Sequence, residues 1–468
     1  MSEKTVRPFG FRDKLGYLFG DFGNDFTFLL SSSFLLKFYT DVMGVNAGIV
    51  GVVMMTARFV DAFTDVAMGR LCDMSRPRKS GKFKPWILRM CLPVAFSSFL
   101  IYQSSVAQYS LTVRVIWLTV TYILWGSFFY TSVNIPYGSM ASAISPDADA
   151  RQSLSTYRTM GGMLAGAFVT VIIPLVAYDT LTENGSEKVV LNGQRFTAVA
   201  GIFSVLAVIC YILCYFLVTE RVKSPVNAER QEKHSSVGML KAAFKNRALI
   251  SIIVASILML LAQLTLQGMS GYIFPNFYKS AAAQSASTVV MMAGMIIAAA
   301  VAKPLTRKFG KAEISVVSNL LAGAISLILY FIRPENVWVY IAFQGISWVG
   351  LGIFSMVNWA LITDVIDYSE LKNGVREDGS VYALYSFARK LGQAAASGLT
   401  GALLSMIGYS QETAFDTQVV NGIYNISTLI PAAGFILLSL VLWFLYPLHK
   451  KQVEENIRKL KEKRNENL

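Results

Sequence analysis

Histidine is nearly absent from these 468 residues, and cysteine is scarce. The two histidines, His234 and His449, sit in charged segments outside the apolar stretches. No imidazole is therefore available for a metal site or a proton relay at membrane depth, and intramembrane ionic chemistry must use carboxylates, lysine and arginine. Cys72, Cys91, Cys210 and Cys214 lie in or beside apolar runs, which argues against a disulfide framework and reads as packing. Charged residues make up only 15% of the chain, against about 25% in soluble domains. No A-x-A-type cleavage site follows the first apolar run, and the tail Met1–Lys14 is mixed in charge, so an uncleaved first helix is expected.

What is present is apolar: 54% hydrophobic residues, 12% aromatic, 34 glycines and 18 methionines, with a mean hydropathy of +0.48. This excludes a soluble, disordered or disulfide-stapled chain and points to helices packed in a lipid bilayer. Runs long enough to span predict twelve helices, over 15–40, 46–72, 86–107, 112–144, 154–178, 196–219, 247–278, 285–306, 313–332, 336–366, 380–407 and 421–447. With both termini inside, 33 of the 42 Lys and Arg fall on the cytoplasmic side, as the positive-inside rule requires. The net charge of +13 is thus topological, and nucleic acid is not expected as a partner.

The longest internal polar interruption divides six spans from six. The expected organisation is an N-terminal half over 1–219, a cytoplasmic linker over 220–246, a C-terminal half over 247–447 and a basic cytoplasmic tail over 448–468. The fold class is all-α, a polytopic membrane protein of twelve transmembrane helices with the footprint of the major facilitator architecture, whose halves rock about a central site. The basic loop after span two (Arg76, Arg78, Lys79) has a counterpart after span eight (Lys303, Arg307, Lys308, Lys311), a weak internal repeat that positive-inside loops alone would also produce.

Charges inside spans are costly, so each is a site candidate. Span one carries Asp21 and Asp25; span two carries Arg58, Asp61, Thr64 and Asp65, which share one helical face. Two carboxylates and a hydroxyl suit a hard monovalent cation or a shared proton, whereas an internal Arg58 ion pair would occupy only one of them. Tyr130, Thr131, Asn134 and Pro136 form a polar run in span four that lines a cavity or only satisfies a kink. Arg158 opens span five ahead of Gly161, Gly162 and Gly166, whose small faces favour close helix packing. In the second half, Asn358, Trp359, Asp364 and Asp367 lie on span ten, and Tyr385, Ser386, Arg389 and Lys390 on span eleven. The acids of span ten either gate or pair with Arg389 or Lys390. Polar, aromatic and charged groups on several spans suit a sugar site.

The blocks Gly81-Lys-Phe-Lys-Pro-Trp86, Asp61-x3-Asp65-x3-Gly69, Tyr122-Ile-Leu-Trp-Gly126, Asn134-Ile-Pro-Tyr137 and Asp364-x-x-Asp367-Tyr368 resemble the glycoside–pentoside–hexuronide:cation symporter family over nearly the whole chain. The type is that of the melibiose carrier. Asn134 through Ser139, together with Ser386 through Gln393 after Val375-Arg-Glu-Asp-Gly379, is most similar to the glucuronide carrier branch. The resemblance implies cation binding by Asp61, Asp65 and Thr131, and sugar recognition by Asp25, Arg158 and Lys390. Thr64 stands where a sodium-using relative has asparagine, leaving Na+ and H+ as the coupling candidates. Asn24 replaces a lysine, Asn134 a second sugar-binding aspartate, and Gly138 and Ser355 tryptophans, which points away from melibiose itself.

The expected function is therefore cation-coupled symport of a sugar or glycoside, with a lean toward a hexuronide, by a cofactor-free monomer in the bacterial cytoplasmic membrane. The expected substrate contacts are Asp25, Asn24, Tyr130, Asn134, Arg158, Asn358, Tyr385, Ser386 and Lys390. The cation contacts are Asp61, Thr64, Asp65 and Thr131, and the gating charges are Arg58, Asp364, Asp367 and Arg389. Two rivals stand beside it: a lysolipid carrier on the same fold, and a membrane-embedded transferase using Asp61 and Asp65 to hold Mg2+ on a diphosphate.

Overall fold

The computed structural model describes residues 7–78, 80–183, 186–222, 246–373 and 378–466. Most of the expected linker over 220–246 lies outside these residues, as do Lys79 and the segment 374–377.

Two compact units emerge. The first comprises the described part of residues 1–231 together with 408–414. Its helices are α1 (Phe11–Asp41), α2 (Ala47–Met74), α3 (Lys84–Ile101), α4 (Leu111–Ile123), α5 (Thr131–Ile144), α6 (Ala148–Val176) and α7 (Gly193–Leu217). A π-helical turn, Leu124–Tyr130, joins α4 to α5 in one rod, so the unit has six long rods. A hairpin of β1 (Tyr178–Glu183) and β2 (Ser186–Leu191) links α6 to α7 with antiparallel register Thr180 to Val189.

The second unit contains α8 (Arg247–Tyr272), α9 (Ala281–Phe309), α10 (Lys311–Ile332), α11 (Val337–Asn373), α12 (Asp378–Met406) and α13 (Thr417–Leu440), followed by a polar helix α14 (Lys450–Glu466). Ten of the rods are long and apolar enough to cross a membrane. The other two, α1 and α12, have the length, at 31 and 29 residues, but their apolar character is diluted by Asp21, Asp25 and Lys37 in α1 and by Arg389 and Lys390 in α12.

Local chemistry sets the helix starts. Asn46, Asp147, Asn192, Asn246 and Ser280 each precede a helix and accept a hydrogen bond from a first-turn backbone N–H. Such side chains satisfy donors that a helix cannot pair internally.

The two units repeat one packing scheme. In the first, α1 packs on α6 and α7, and α3 on α7; in the second, α8 packs on α12 and α13, and α10 on α13. The closures beside α3 and α14 are related but reversed. In the first unit Glu220, just after α7, accepts the backbone N–H groups of Lys82 (2.7 Å), Phe83 (3.0 Å) and Lys84 (2.8 Å). Gly81, at φ +121°, must lack a side chain there, since a Cβ would lie 2.5 Å from that carboxyl carbon. In the second unit the carboxylate sits on α10 instead, where Glu313 accepts Lys450 N–H at 2.8 Å and starts α14.

Glu220→Ala removes one acceptor from three buried-end donors, so a loss of about 1–3 kcal/mol is expected. A thermal melt in detergent should show it as a clearly lowered midpoint, and an unchanged midpoint would mean that water replaces the carboxylate.

The segment 408–414 groups with the first unit and not with the expected second half, 247–447, and Tyr409 is held by α1. Tyr409 Oη donates to Asp41 Oδ1 (2.8 Å) and accepts from Lys37 Nζ (2.9 Å), while Lys37 pairs with Asp41 Oδ2 at 2.7 Å. Lys37 is 1% exposed. Its charge is tolerated at that depth because a carboxylate one turn away neutralises it.

Candidate functional site

The cluster predicted on span two forms where α2 meets the rod of α4 and α5. Asp61 and Asp65, one turn apart on α2, face two hydroxyls one turn apart on that rod. Ser127 Oγ donates to Asp61 Oδ1 at 2.5 Å, and Thr131 Oγ1 to Asp65 Oδ1 at 2.8 Å. The Thr131 hydroxyl also lies 3.1 Å from the Gly126 carbonyl, five residues back, as the π-helical turn dictates.

Arg58 approaches Asp61 Oδ2 only loosely, at 3.5 Å, with its guanidinium over the Phe28 ring at 5.0 Å. Thr64 behaves differently from expectation. Its hydroxyl turns back to its own helix, donating toward the carbonyls of Val60 (3.3 Å) and Asp61 (3.2 Å). The oxygen-rich group is thus Asp61, Asp65, Ser127 and Thr131. All four side chains offer oxygen donors; among the described residues no group of three or more His, Cys, Asp and Glu could hold a metal.

A second cluster lies on the seam of α1 and α6. Arg158 Nε donates to Asp21 Oδ1 at 3.0 Å. The guanidinium also covers the Tyr137 ring at 5.2 Å, and that ring stacks on Tyr17 at 4.6 Å. Tyr137 Oη donates to the Tyr17 carbonyl (2.6 Å), which ties α5 to α1 beneath the arginine. Gly161 and Gly162 let the helices approach: a Cβ on Gly161 would sit 2.4 Å from the Leu18 carbonyl oxygen, and one on Gly162 would sit 2.6 Å from Asp25 Oδ2 and 3.1 Å from Asp21 Oδ2. Asp25 is therefore brought beside Asp21 and Arg158, with Tyr130 nearby, stacked on Phe28 at 5.7 Å. Asn134 is half-buried on α5.

Asn24 is not part of this group. It is 1% exposed and its Oδ1 accepts from Tyr211 of α7 at 2.8 Å, a buried interhelical pair.

In the second unit, Asn358 and Tyr385 come together, but as a sealed knot. Both are 0% exposed; Asn358 Nδ2 donates to Tyr385 Oη, and Ser256 Oγ donates to the same oxygen at 3.0 Å. Arg389 lies over Trp359 (5.7 Å) and reaches Tyr385 Oη at 3.4 Å. Ser386 points to the exposed side of α12, and Lys390 is half-buried. Asp364 pairs with Lys311 at the start of α10, at 2.6 Å, and not with Arg389 or Lys390. The reason is topological: α10 and α11 pack along their length, which brings a residue counted as a loop charge against span ten.

Three residues were missed: Ser127, Asp21 as the partner of Arg158, and Lys311. For the first two a signal existed, since Ser127 is four residues before Thr131 and Asp21 four before Asp25. Lys311 had none, because helix adjacency is not written in a single sequence.

The family model described as MFS/sugar transport protein matches residues 16–450. An isoprimeverose transporter of Lactiplantibacillus pentosus is 30% identical, over 95% of this chain and 92% of its own length. A glucuronide carrier protein homolog of Escherichia coli is 28% identical, over 95% and 94%. Among solved structures, a D-xylose-proton symporter superposes with a TM-score of 0.63 at 14% identity, covering 93% of this chain and 97% of the other, which shows the shared fold.

Proposed function

The chain belongs to the MFS/sugar transport protein family, a multi-pass membrane transporter and not an enzyme, and from that premise we propose that it imports an anionic sugar, a hexuronide or glucuronide, coupled to Na+ or H+. The observation that carries the coupling is the pairing of Asp61 with Ser127 and of Asp65 with Thr131. Carboxylate and hydroxyl oxygens at matched helical pitch supply charge and ligands for a monovalent cation, or a carboxylate for a proton. Alternating access in the bacterial cytoplasmic membrane, with both termini inside, completes the reading.

For the substrate, Arg158 is the selecting group. Asp21 takes its Nε and Tyr137 takes its face, so the guanidinium is held in a fixed orientation. A fixed guanidinium suits a planar carboxylate through parallel charge-assisted hydrogen bonds. Asn134 in place of an acid removes a repulsive charge from the neighbouring helix. The glucuronide carrier homolog is consistent with this choice. The isoprimeverose transporter is the specific reason to retain a neutral glycoside as the second reading. Lys390 of the second unit remains a proposed contact.

The test is counterflow of a glucuronide against the matching neutral glucoside, in wild type and in Asn134→Asp. The glucuronide should be preferred in wild type, and the added carboxylate should cut that preference about tenfold, equivalent to roughly 1.4 kcal/mol. A wild-type preference for the glucoside that the substitution leaves unmoved would assign specificity to shape.

A further inference from the structure

We propose that Asp21 and Asp25 form a site for one shared proton, that this site fills when an anionic substrate binds at Arg158, and that it compensates substrate charge separately from the coupling site at Asp61 and Asp65. The proposal rests on the anionic-sugar reading above.

The geometry sets two carboxylates against one guanidinium. Arg158 Nε is bonded to Asp21 Oδ1 at 3.0 Å. Asp25 Oδ2 and Asp21 Oδ2 lie 2.6 and 3.1 Å from the point where a Cβ of Gly162 would stand, so they are no further apart than those two lengths end to end. Among the described residues no hydrogen bond or ion pair reaches the Asp25 carboxylate. One positive charge balances one carboxylate; the other, in a partly water-excluded seam, is left facing a like charge. A shared proton relieves that repulsion.

Among the described residues no hydrogen bond from a neighbouring group does so. Facing the pair are Tyr17 of α1, Tyr130 and Tyr137 of the fourth rod, and Tyr211 of α7. Tyr137 and Tyr211 have committed their hydroxyls, to the Tyr17 carbonyl and to Asn24 Oδ1, and Tyr17 points its own to the Tyr137 carbonyl at 3.3 Å. Arg58 of α2 approaches Asp61. Gly162 is what permits the arrangement, since a side chain there would displace both carboxylates.

Substrate charge then sets the stoichiometry. An anion on Arg158 competes with Asp21 for its compensating charge and raises the proton affinity of the pair, and by linkage the proton raises affinity for the anion. A neutral glycoside makes no such demand.

Proton uptake on binding can be read directly with purified protein in detergent, either by a pH indicator in weakly buffered solution or by calorimetry in two buffers of different ionisation heat. Wild type should take up about one proton per glucuronide bound near neutral pH, and about none with the matching glucoside. In Asp21→Asn, which keeps an oxygen for Arg158 Nε, and in Asp25→Asn, the uptake per glucuronide bound, measured at saturating ligand whatever the change in affinity, should fall to about none, and a thermal melt reports that they are folded. Glucuronide binding without uptake in wild type overturns the shared proton and leaves the substrate reading intact. Uptake that survives in both variants, or that disappears only in Asp61→Asn, overturns it likewise and places the proton elsewhere. Failure of glucuronide to bind while the glucoside does overturns the anionic-sugar reading, and this proposal with it.

Discussion

Asp65→Asn is expected to abolish uphill accumulation of sugar while leaving the protein expressed and folded. Asparagine keeps an oxygen to accept from Thr131, now at 2.8 Å from Asp65 Oδ1, and matches aspartate in volume. What it removes is charge. A monovalent cation bound by two carboxylates loses half its electrostatic attraction, and a proton carried by Asp65 loses its carrier. Transport driven by a sugar gradient alone does not need the cation to be carried uphill, so counterflow should persist. In energised membrane vesicles the ratio of internal to external sugar should fall to about one, the uncoupled limit. Asp61→Asn should do the same, with the added loss of the partner that Arg58 approaches at 3.5 Å. Accumulation by both variants at the wild-type level would place coupling outside this cluster.

The second large effect is structural. A Cβ on Gly161 would lie 2.4 Å from the Leu18 carbonyl oxygen, a backbone atom that cannot rotate away, and 3.3 Å from Phe22 N. Gly161→Ala must therefore push α1 off α6, and overpacking of this kind costs about 1–3 kcal/mol. Gly166→Ala on the same helix is the control. Its Cβ would meet the flexible end of Leu29 at 3.5 Å, an ordinary contact. Thermal unfolding in detergent should show a lowered midpoint for Gly161→Ala and an equal or raised one for Gly166→Ala. Substrate binding should weaken only in the former, because α1 carries Asp21 and Asp25. Equal midpoints for the two variants would show that the seam yields without cost.

These outcomes reflect what a membrane sequence reveals and conceals. Span existence is legible because lipid forces long apolar runs, and most observed rods begin and end within a few residues of those runs, although span ten, expected to end at 366, continues to Asn373 and span five, expected from 154, starts at Ala148. The face shared by Asp61 and Asp65 is legible because helical pitch fixes which neighbours on one helix align. Partners on other helices are not. Arg158 finds Asp21 across 137 positions, and Lys311 finds Asp364 across 53, through packing that no local pattern encodes. The burial of Asn24 against Tyr211 is hidden for the same reason. The hairpin Tyr178–Leu191 carries no signal of its own, because its strands lie between two strong apolar runs. The attachment of Tyr409 to Lys37 joins residues 372 positions apart, although the counterion Asp41, one turn from Lys37, was in plain view.

The π-helical turn Leu124–Tyr130 has a consequence for how such carriers diverge. A wide turn of this kind accommodates one residue more than the α-helical path, so losing a single codon within it would straighten the rod at no cost to its length across the bilayer. Because the turn absorbs that residue locally, the helix beyond it would keep its facing, so Thr131 would stay on the side of Asp65 and only the residues inside the turn, Ser127 among them, would be re-registered. The two halves of the oxygen cluster can therefore diverge separately, the Ser127 half by a change of length in the turn and the Thr131 half only by substitution.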